Sequence, residues 1–142
     1  MLCGEYKHAL DAKNRLFIPA KYREQLGESF VVVRSSEGEL RFLTVYSRAE
    51  WAEIEAKLAS MPRSSTRGLN RFWGRHGLEA TPDSQGRILL SPPLVEYAGF
   101  GKNAVIIGCG SYLEIWSEEG YECMVAAEDA EAMEQQMKEL GF

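Results

Sequence analysis

The apolar residues of this chain fall in short runs of four to seven residues that are rich in β-branched and aromatic side chains. Runs of this length and composition, bounded by glycine, proline and charged residues, are typical of β-strands. The pattern predicts strands at residues 15–18, 30–34, 40–46, 87–90, 104–108 and 112–116.

Elsewhere the apolar spacing changes to the period of an amphipathic helix. Ser47 and Glu50 have the spacing of a capping box, which predicts a helix that begins just after Ser47. Ser117 occupies the matching cap position later in the chain, although Gly120 replaces the glutamate there. We expect the first of these helices to bury an apolar stripe at Trp51, Ile54, Leu58 and Met61.

Two further segments have helical spacing. In residues 61–76, Leu69, Phe72 and Trp73 share one face of a possible helix, which we expect to cover a sheet even though glycines interrupt the segment. In the tail, apolar residues recur at helical intervals within an acidic sequence, so we expect a helix with a frayed end. These tail residues are Met133, Met137 and Leu140.

The chain contains an internal repeat. The stretch DAKNRLFIPAKYREQLG at residues 11–27 aligns with DSQGRILLSPPLVEYAG at residues 83–99, with an offset of 72 residues. FVVV at residues 30–33 and LTVYS at residues 43–47 have counterparts in AVII and LEIWS. We interpret this as a duplicated unit of about seventy residues. Within each unit the predicted order is strand, turn, strand, short helix, strand, hairpin, strand, helix.

The repeat sets the predicted organisation of an α+β protein. We assign residues 1–60 to the first repeat, 61–76 to a connecting helix or linker, 77–126 to the second repeat, and 127–142 to an acidic C-terminal helix or tail. A length of 142 residues is compatible with one small domain of this kind.

Charge is distributed unevenly over these segments. The chain has a net charge of −5, but residues 1–27 carry +2 and residues 61–87 carry +3, while residues 112–142 carry −8. The basic segments contain the repeated stretches, so the net acidity does not exclude a nucleic-acid partner.

The composition indicates few other kinds of chemistry. Cys3, Cys109 and Cys123 are widely spaced and have no metal-ligand spacing with His8 or His76. We therefore predict no metal, no cofactor, no small-molecule ligand and no catalytic residue. The remaining enzyme hypothesis is a Cys109 nucleophile with a histidine base. No apolar run is long enough to cross a membrane and no signal peptide is evident, so we expect a cytoplasmic protein.

The repeated stretch begins with a turn of the form D-x-x-[N/G]. Such a turn requires a left-handed residue at its fourth position, where Asn14 and Gly86 stand. An aspartate at the start can accept backbone N–H bonds and stiffen the turn. We expect a hairpin loop closed by a type I turn and a bulge, with Arg15 or Arg87 at the point where strand pairing resumes.

Two interpretations of these arginines remain open from the residues alone, and they are compatible. Asp11 and Arg15 can form a structural ion pair, which at an exposed site contributes only about 0–1 kcal/mol. Alternatively, the aspartate fixes the loop and the arginine reads guanine or phosphate from a two-stranded ribbon in the major groove. Flanking residues would then contact phosphates, namely Lys7, His8, Lys13, Lys21 and Arg23.

The stretches GEYKHALDAKNRLFIPAKYR, DSQGRILLSPPLVEYAGF and IIGCGSYLEIWS together resemble the MraZ family of bacterial transcription regulators, which is related to AbrB-like DNA-binding proteins. The resemblance covers nearly the whole chain. It implies a double-split, swapped-hairpin β-barrel made from two pseudo-repeats and flanked by short helices. It also implies a ring-shaped homo-oligomer, commonly octameric, that binds double-stranded DNA.

In this family the rings act on direct repeats upstream of the division and cell-wall gene cluster, and the resemblance implies a nucleoid-associated protein. The family's DNA-reading motif falls here on residues 11–15 and 83–87. The residues that we expect to contact or shape the contact with DNA are Asp11, Lys13, Asn14, Arg15, Asp83, Gln85, Gly86 and Arg87, with Lys7, His8 and Arg23 beside them.

The chain departs from the family pattern in several places. Cys3 stands where a basic residue is usual, and Asn14 replaces the usual glycine of the first motif. In the second copy, Leu90-Ser91 replaces Ile-Pro and Val95 stands where arginine is common. The second copy is therefore either the weaker reader or a structural partner of the first.

Another class of function also remains. The chain could be an AbrB-like interaction scaffold whose basic loops bind a protein partner without reading DNA. For the series Arg63, Arg67, Arg71 and Arg75, we favour a solvated helix face or acidic partners on a neighbouring subunit over DNA contact, and the acidic tail offers such partners. We expect the large aromatic residues to lie in the core or in subunit interfaces, namely Tyr46, Trp51, Trp73, Tyr97 and Trp116.

Overall fold

The computed structural model describes all residues, 1–142, and contains eight strands and six helices. The strands are β1 (Glu5–Ala9), β2 (Arg15–Phe17), β3 (Phe30–Glu37), β4 (Leu40–Ser47), β5 (Leu78–Ala80), β6 (Arg87–Leu89), β7 (Asn103–Gly108) and β8 (Tyr112–Ser117). The helices are α1 (Ala20–Leu26), α2 (Arg48–Ala59), α3 (Arg63–His76), α4 (Pro92–Ala98), α5 (Glu118–Ala126) and α6 (Ala130–Glu139). The predicted α+β class is confirmed.

Strands from the two repeats lie side by side within the same sheets. Six strands form an antiparallel sheet in the order β1-β7-β8-β4-β3-β5, and β2 pairs with β6 in a separate two-stranded ribbon. The pairs β1–β7, β4–β8, β3–β5 and β2–β6 each join one repeat to the other. The two halves of the chain therefore share one hydrogen-bonded framework.

The expected loop is present at each Asp–Arg turn, because the Asp11 N–H donates to the Arg15 carbonyl at 3.1 Å and the Asp83 N–H donates to the Arg87 carbonyl at 2.8 Å. The strands on either side of each loop do not pair with each other, so the expected hairpin does not continue beyond it. The strand before the first turn, β1, pairs with β7, whereas the strand after it, β2, pairs with β6. Strands of three residues leave few ladder bonds to any neighbour, so burial decides their pairing. Leu16 and Ile88 lie opposite each other in the ribbon and are almost fully buried, so the pairing between repeats places both in the core.

The main core lies between the inner face of the sheet, the ribbon, and helices α1 and α4. It contains eighteen buried residues, and alternate residues of each strand contribute to it, as a half-buried sheet requires. The ribbon contributes Leu16, Ile18, Ile88 and Leu90, and the short helices contribute Tyr22, Leu26, Leu94 and Ala98. The position of the ribbon is thus fixed by the core beneath it.

The outer face of the sheet is covered by α2, α3 and α5. Phe42 and Trp116 stack there at a ring-centroid distance of 4.3 Å. The Ser47 hydroxyl accepts a hydrogen bond from the Glu50 N–H at 3.2 Å, which confirms the predicted start of α2. The apolar stripe was predicted one turn too long, because α2 ends at Ala59 and Met61 lies beyond it, 45% exposed.

Residues 61–76 also fold largely as predicted, since α3 spans Arg63–His76. The Trp73 indole N–H donates to the Arg34 carbonyl at 3.0 Å, which attaches this helix to β3 and confirms that it covers the sheet. Phe72 packs against Tyr97 at 5.9 Å, while Leu69 remains 39% exposed. Of the large aromatic residues expected in the core or interfaces, only Trp116 is almost fully buried.

Candidate nucleic-acid interface

The first Asp–Arg loop is held by its own aspartate. The Asn14 N–H donates to the Asp11 carbonyl at 3.0 Å, which closes a β-turn. The Asp11 carboxylate accepts from the backbone N–H groups of Lys13 and Arg15, both at 2.9 Å. Asn14 has a φ of 60°, so the predicted left-handed position is confirmed.

The second loop repeats this geometry. The Gly86 N–H donates to the Asp83 carbonyl at 2.9 Å, and Asp83 accepts from the backbone N–H groups of Gln85 and Arg87 at 2.9 and 3.0 Å. Gly86 has a φ of 79°. In each loop the bonds from the arginine's backbone N–H hold the pKa of the aspartate below its usual range.

Each arginine side chain donates a hydrogen bond through Nε to the aspartate of its own loop. Nε of Arg15 donates to the Asp11 carboxylate at 2.6 Å, and Nε of Arg87 donates to Asp83 at 2.9 Å. Nη1 of Arg87 also comes within 3.6 Å of Asp11, so the two loops share a carboxylate. The Nη groups make no hydrogen bond within the chain, and the side chains are 33% and 26% exposed.

The ribbon presents both arginines on one face. Because strand residues alternate, the inward direction of Leu16 and Ile88 requires their neighbours to point outward. Arg15 pairs with Leu89, and Phe17 pairs with Arg87, so the arginines occupy one diagonal of the outer face and the apolar residues the other. The predicted loop residues of both repeats are therefore brought together on one surface.

Arg23 is used to build this surface. Its Nε donates to the Ile18 carbonyl at 2.8 Å, and its guanidinium carbon lies 5.7 Å from the centre of the Phe17 ring. The same guanidinium covers Gly86, which is buried. Arg23 thus connects α1 of the first repeat to the loop of the second.

The other predicted contacts are placed differently. Lys7 and His8 are successive residues of β1 and so point to opposite faces. His8 packs edge-on against Phe17 at 5.1 Å, on the ribbon side. Lys7 pairs with Glu118 at 2.9 Å, which raises its pKa. Lys13 is exposed at the loop tip and forms no ion pair.

The two repeats differ where the ribbon meets its surroundings. Phe17 is half-buried beneath His8 and Arg23, whereas its counterpart Leu89 is 61% exposed. At the offset of 72 residues, Arg23 corresponds to the shorter Val95. The sequence analysis did not single out Phe17 or Leu89. In the sequence, both could have been recognised as apolar residues at strand positions that face outward.

The structure does not assemble the alternative thiol site. Burial raises the pKa of Cys109 to about 11, so the thiol keeps its proton at neutral pH. The thiol donates a hydrogen bond to the Ile107 carbonyl at 3.7 Å. No group of three or more metal-ligating side chains is present, and none of the six helices is long and apolar enough to span a membrane.

The fold and the loops define a duplicated α+β protein in which paired Asp–Arg loops flank a shared ribbon. Comparison with known proteins agrees with this description. A family model described as "MraZ protein, putative antitoxin-like" matches residues 1–71 and 75–141. The chain belongs to the MraZ family.

Individual relatives support the assignment. The chain is 46% identical over 124 residues to a protein of Lactobacillus delbrueckii subsp. bulgaricus, which covers 86% of this chain and 85% of that protein. It is 40% identical over 145 residues to a protein of Clostridium acetobutylicum, which covers both chains completely. A protein of Heliobacterium modesticaldum is 46% identical over 121 residues, 84% of this chain and 82% of that protein. Each is named "Transcriptional regulator MraZ".

Proposed function

We propose that this chain is a sequence-specific, DNA-binding transcriptional regulator. In this proposal it acts in the cytoplasm, on the nucleoid, as a ring-shaped homo-oligomer bound to direct repeats upstream of the division and cell-wall gene cluster. Family membership and the names of the relatives support the regulatory role. It is not an enzyme.

One observation carries the proposal. Arg15 and Arg87 stand on one face of a two-stranded ribbon, each fixed through a hydrogen bond from Nε, while their Nη groups donate no hydrogen bond within the chain and Nη1 of Arg87 lies 3.6 Å from Asp11. A ribbon of this kind fits the major groove, and a guanidinium can donate two bonds to guanine O6 and N7. The aspartates hold the arginines in place before binding, which lowers the entropic cost of recognition.

The same surface offers contacts of other kinds. Lys13 is exposed at the tip of the first loop, where a lysine can neutralise a phosphate. Leu89 projects beside Arg15, where its side chain would make an apolar contact with the methyl group of thymine. Lys7 pairs with Glu118 at 2.9 Å on the opposite face of β1, so its proposed contact with DNA would require this exposed pair to open.

We also propose that the sheet and ribbon form the double-split, swapped-hairpin barrel of the family, with repeats at residues 1–60 and 77–126. The linker is then residues 61–76, and residues 127–142 form the acidic tail. The pairing of each repeat with the other in all four junctions supports this arrangement. A ring of such chains would place many ribbons along one DNA path, so weak local contacts would sum to high affinity.

The experiment is a salt titration of binding to DNA that carries tandem short repeats. It compares the wild type with Arg15→Ala, Arg15→Lys and Arg87→Ala, and Lys57→Ala is the control because Lys57 is exposed on α2 and forms no ion pair. The mass of each variant in solution is measured in parallel. We expect Arg15→Ala to weaken binding by about 5- to 150-fold per site, the value of one bidentate arginine contact.

The variant Arg15→Lys separates the recognition of bases from the attraction of the positive charge to phosphate. It should keep the salt dependence, since the charge remains, but lose discrimination between repeat and scrambled DNA, since lysine cannot form the two-pronged contact. Equal binding by all variants would refute the reading role of the ribbon. Absence of any DNA binding by the wild type would instead favour a scaffold that binds a protein partner.

A further inference from the structure

Helix α6 has no partner within the chain. All its side chains are exposed, and its hydrogen bonds and its one ion pair, Glu134–Lys138, stay within the helix and its cap at Asp129. An isolated helix of ten residues is only marginally stable in water, even with a good cap. The stability of α6 therefore calls for a surface that covers one of its faces.

The face to be covered is apolar. At 100° per residue, Met133, Met137 and Leu140 lie within about 60° of one another on the helix surface. They are 50%, 50% and 76% exposed, respectively. Acidic residues flank this stripe. An apolar stripe on an otherwise acidic helix is typical of a helix that packs into an apolar groove with a basic border.

A groove of this kind lies between α2 and α3. It contains a cavity of about 360 Å³ whose apolar lining includes Val31, Val33, Trp51, Leu58, Trp73 and Leu78. Two acids also line it, Glu55 and Glu79, and Glu79 is paired with Arg48 at 3.2 Å. A second cavity of about 370 Å³ continues it towards Met61 and Arg63. The rings of Trp51 and Trp73 meet edge-on at 5.3 Å in its floor. Nothing within the chain fills this groove.

The charges of α3 and of the tail are opposite in sign. Residues 63–76 carry four arginines and no acid, a net charge of +4, and none of these arginines forms an ion pair. Residues 127–142 carry five acids and one lysine, a net charge of −4. The arginines of α3 stand four residues apart, and like charges at this spacing destabilise a helix on its own. Contact between the two segments would remove both sets of unbalanced charge.

We infer that α6 of one chain docks into the α2–α3 groove of a second copy. Its apolar stripe covers the Trp51–Trp73 floor, and its acids face the α3 arginines. The lengths agree, because ten residues of α6 span about 15 Å and fourteen residues of α3 span about 21 Å. The inference rests on the proposed homo-oligomer and names the contact that builds it.

This contact is head-to-tail, since each copy donates a helix and accepts another. Contacts of this type close into rings when the rotation between neighbours allows it. They also make a mixing experiment possible, because the donating and accepting surfaces can be damaged in different chains.

Two variants of the full chain test the docking. Met137→Asp/Leu140→Asp removes the donor stripe, and Arg63→Glu/Arg67→Glu reverses the charge of α3 at Arg63, which lines the groove, and at Arg67, one turn further along. All four side chains are exposed, so both variants should fold. Arg41→Glu/Lys102→Glu is the control, a reversal of two exposed charges outside both surfaces. The readout is the mass in solution from light scattering.

We expect the wild type and the control to form multimers and each variant to fall to the 16.0 kDa mass of one chain. An equimolar mixture of the two variants should then form a species of twice that mass, because only one intact donor and one intact groove remain per pair. Adding Glu131→Lys/Glu134→Lys to the groove variant should restore the multimer.

Other outcomes distinguish the inference from the proposed function. Variants that keep the wild-type mass would overturn the docking and leave a ring built by other contacts. Variants that dissociate but do not pair when mixed would also overturn it. A wild type with the mass of one chain would remove both the docking and the ring, whereas DNA binding through Arg15 is measured separately.

Discussion

Arg23 covers Gly86 so closely that a Cβ atom at Gly86 would lie 2.8 Å from the Arg23 guanidinium carbon. Gly86 also has a positive φ of 79°. The equivalent position in the first loop is Asn14, and the residue equivalent to Arg23 is Val95. The loop that has glycine at this position is thus covered by an arginine from the other repeat, and the residue equivalent to that arginine in the second repeat is the shorter valine.

This relationship predicts an energetic coupling between residues 86 and 23. Gly86→Asn should destabilise the protein, mainly through crowding with Arg23, because asparagine tolerates the left-handed conformation. In an Arg23→Val background the same change should cost less, by about 0.5–3 kcal/mol. Urea unfolding of the four proteins of this cycle measures the coupling. Strictly additive effects would contradict the crowding.

The aspartates of the two loops predict a dependence of stability on pH. Their pKa values are lowered in the folded chain, first by the backbone N–H of the arginine. The resulting stabilisation is fully present above the unfolded pKa of about 3.9 and is lost as the pH falls through the lower, folded value.

Asp11→Asn/Asp83→Asn should remove this part of the pH dependence. The amide oxygen can still accept the backbone bonds, so the loop geometry is retained while the titration disappears. Thermal unfolding between pH 7 and pH 3 should fall less steeply with acid in the variant than in the wild type. If the melting temperatures of the variant and the wild type fell in parallel with pH, the two aspartates would contribute nothing to the loss of stability in acid.

The hydroxyl of Tyr22 holds the N-terminal segment, so its removal should lower the stability of the protein. This hydroxyl donates to the Gly4 carbonyl at 2.6 Å, and burial raises its pKa to about 12. Tyr22→Phe should lower the free energy of unfolding by about 0.5–1.5 kcal/mol. The loss should stay in this range because the Gly4 carbonyl keeps a bond from the Gly108 N–H. Tyr6→Phe, whose hydroxyl makes no hydrogen bond, is the matched control.

Adjacent residues of β6 should behave in opposite ways. Ile88 is 1% exposed, so Ile88→Ala should cost about 2–5 kcal/mol of stability. Leu89 is 61% exposed, so Leu89→Ala should change stability by less than about 0.5 kcal/mol. If Leu89 contacts DNA, its replacement should weaken binding to the tandem repeats nonetheless. Unchanged binding would remove Leu89 from the interface.

The local features of this fold could be predicted from the sequence. The left-handed residues of both turns and the cap at Ser47 depend on residues close together in the chain, and all three are present. The pairing of β2 with β6 could not be predicted in this way. Three-residue strands carry too little pattern to specify a partner seventy residues away, and the nearest strand is the default expectation.

The candidate site shows the same difference between local features, which could be predicted, and contacts between distant segments, which could not. The aspartates and arginines were identified because the motif occurs twice, whereas the use of Arg23 as a cover for Gly86 depends on a contact between repeats. Lys7 was expected beside the DNA, but its side chain reaches Glu118 on the other face of β1. Composition indicates which residues are basic, and only the strand direction shows where they point.

Because both loops belong to a single polypeptide, the ribbon has a direction. A ribbon formed by two identical chains would be symmetric, and every substitution would appear at both ends. Here one end carries Asn14 and an exposed Leu89, while the other carries Gly86 beneath Arg23. A partner bound across this surface meets different chemistry at each end, so its two orientations are not equivalent. Such polarity suits a target whose units all point the same way.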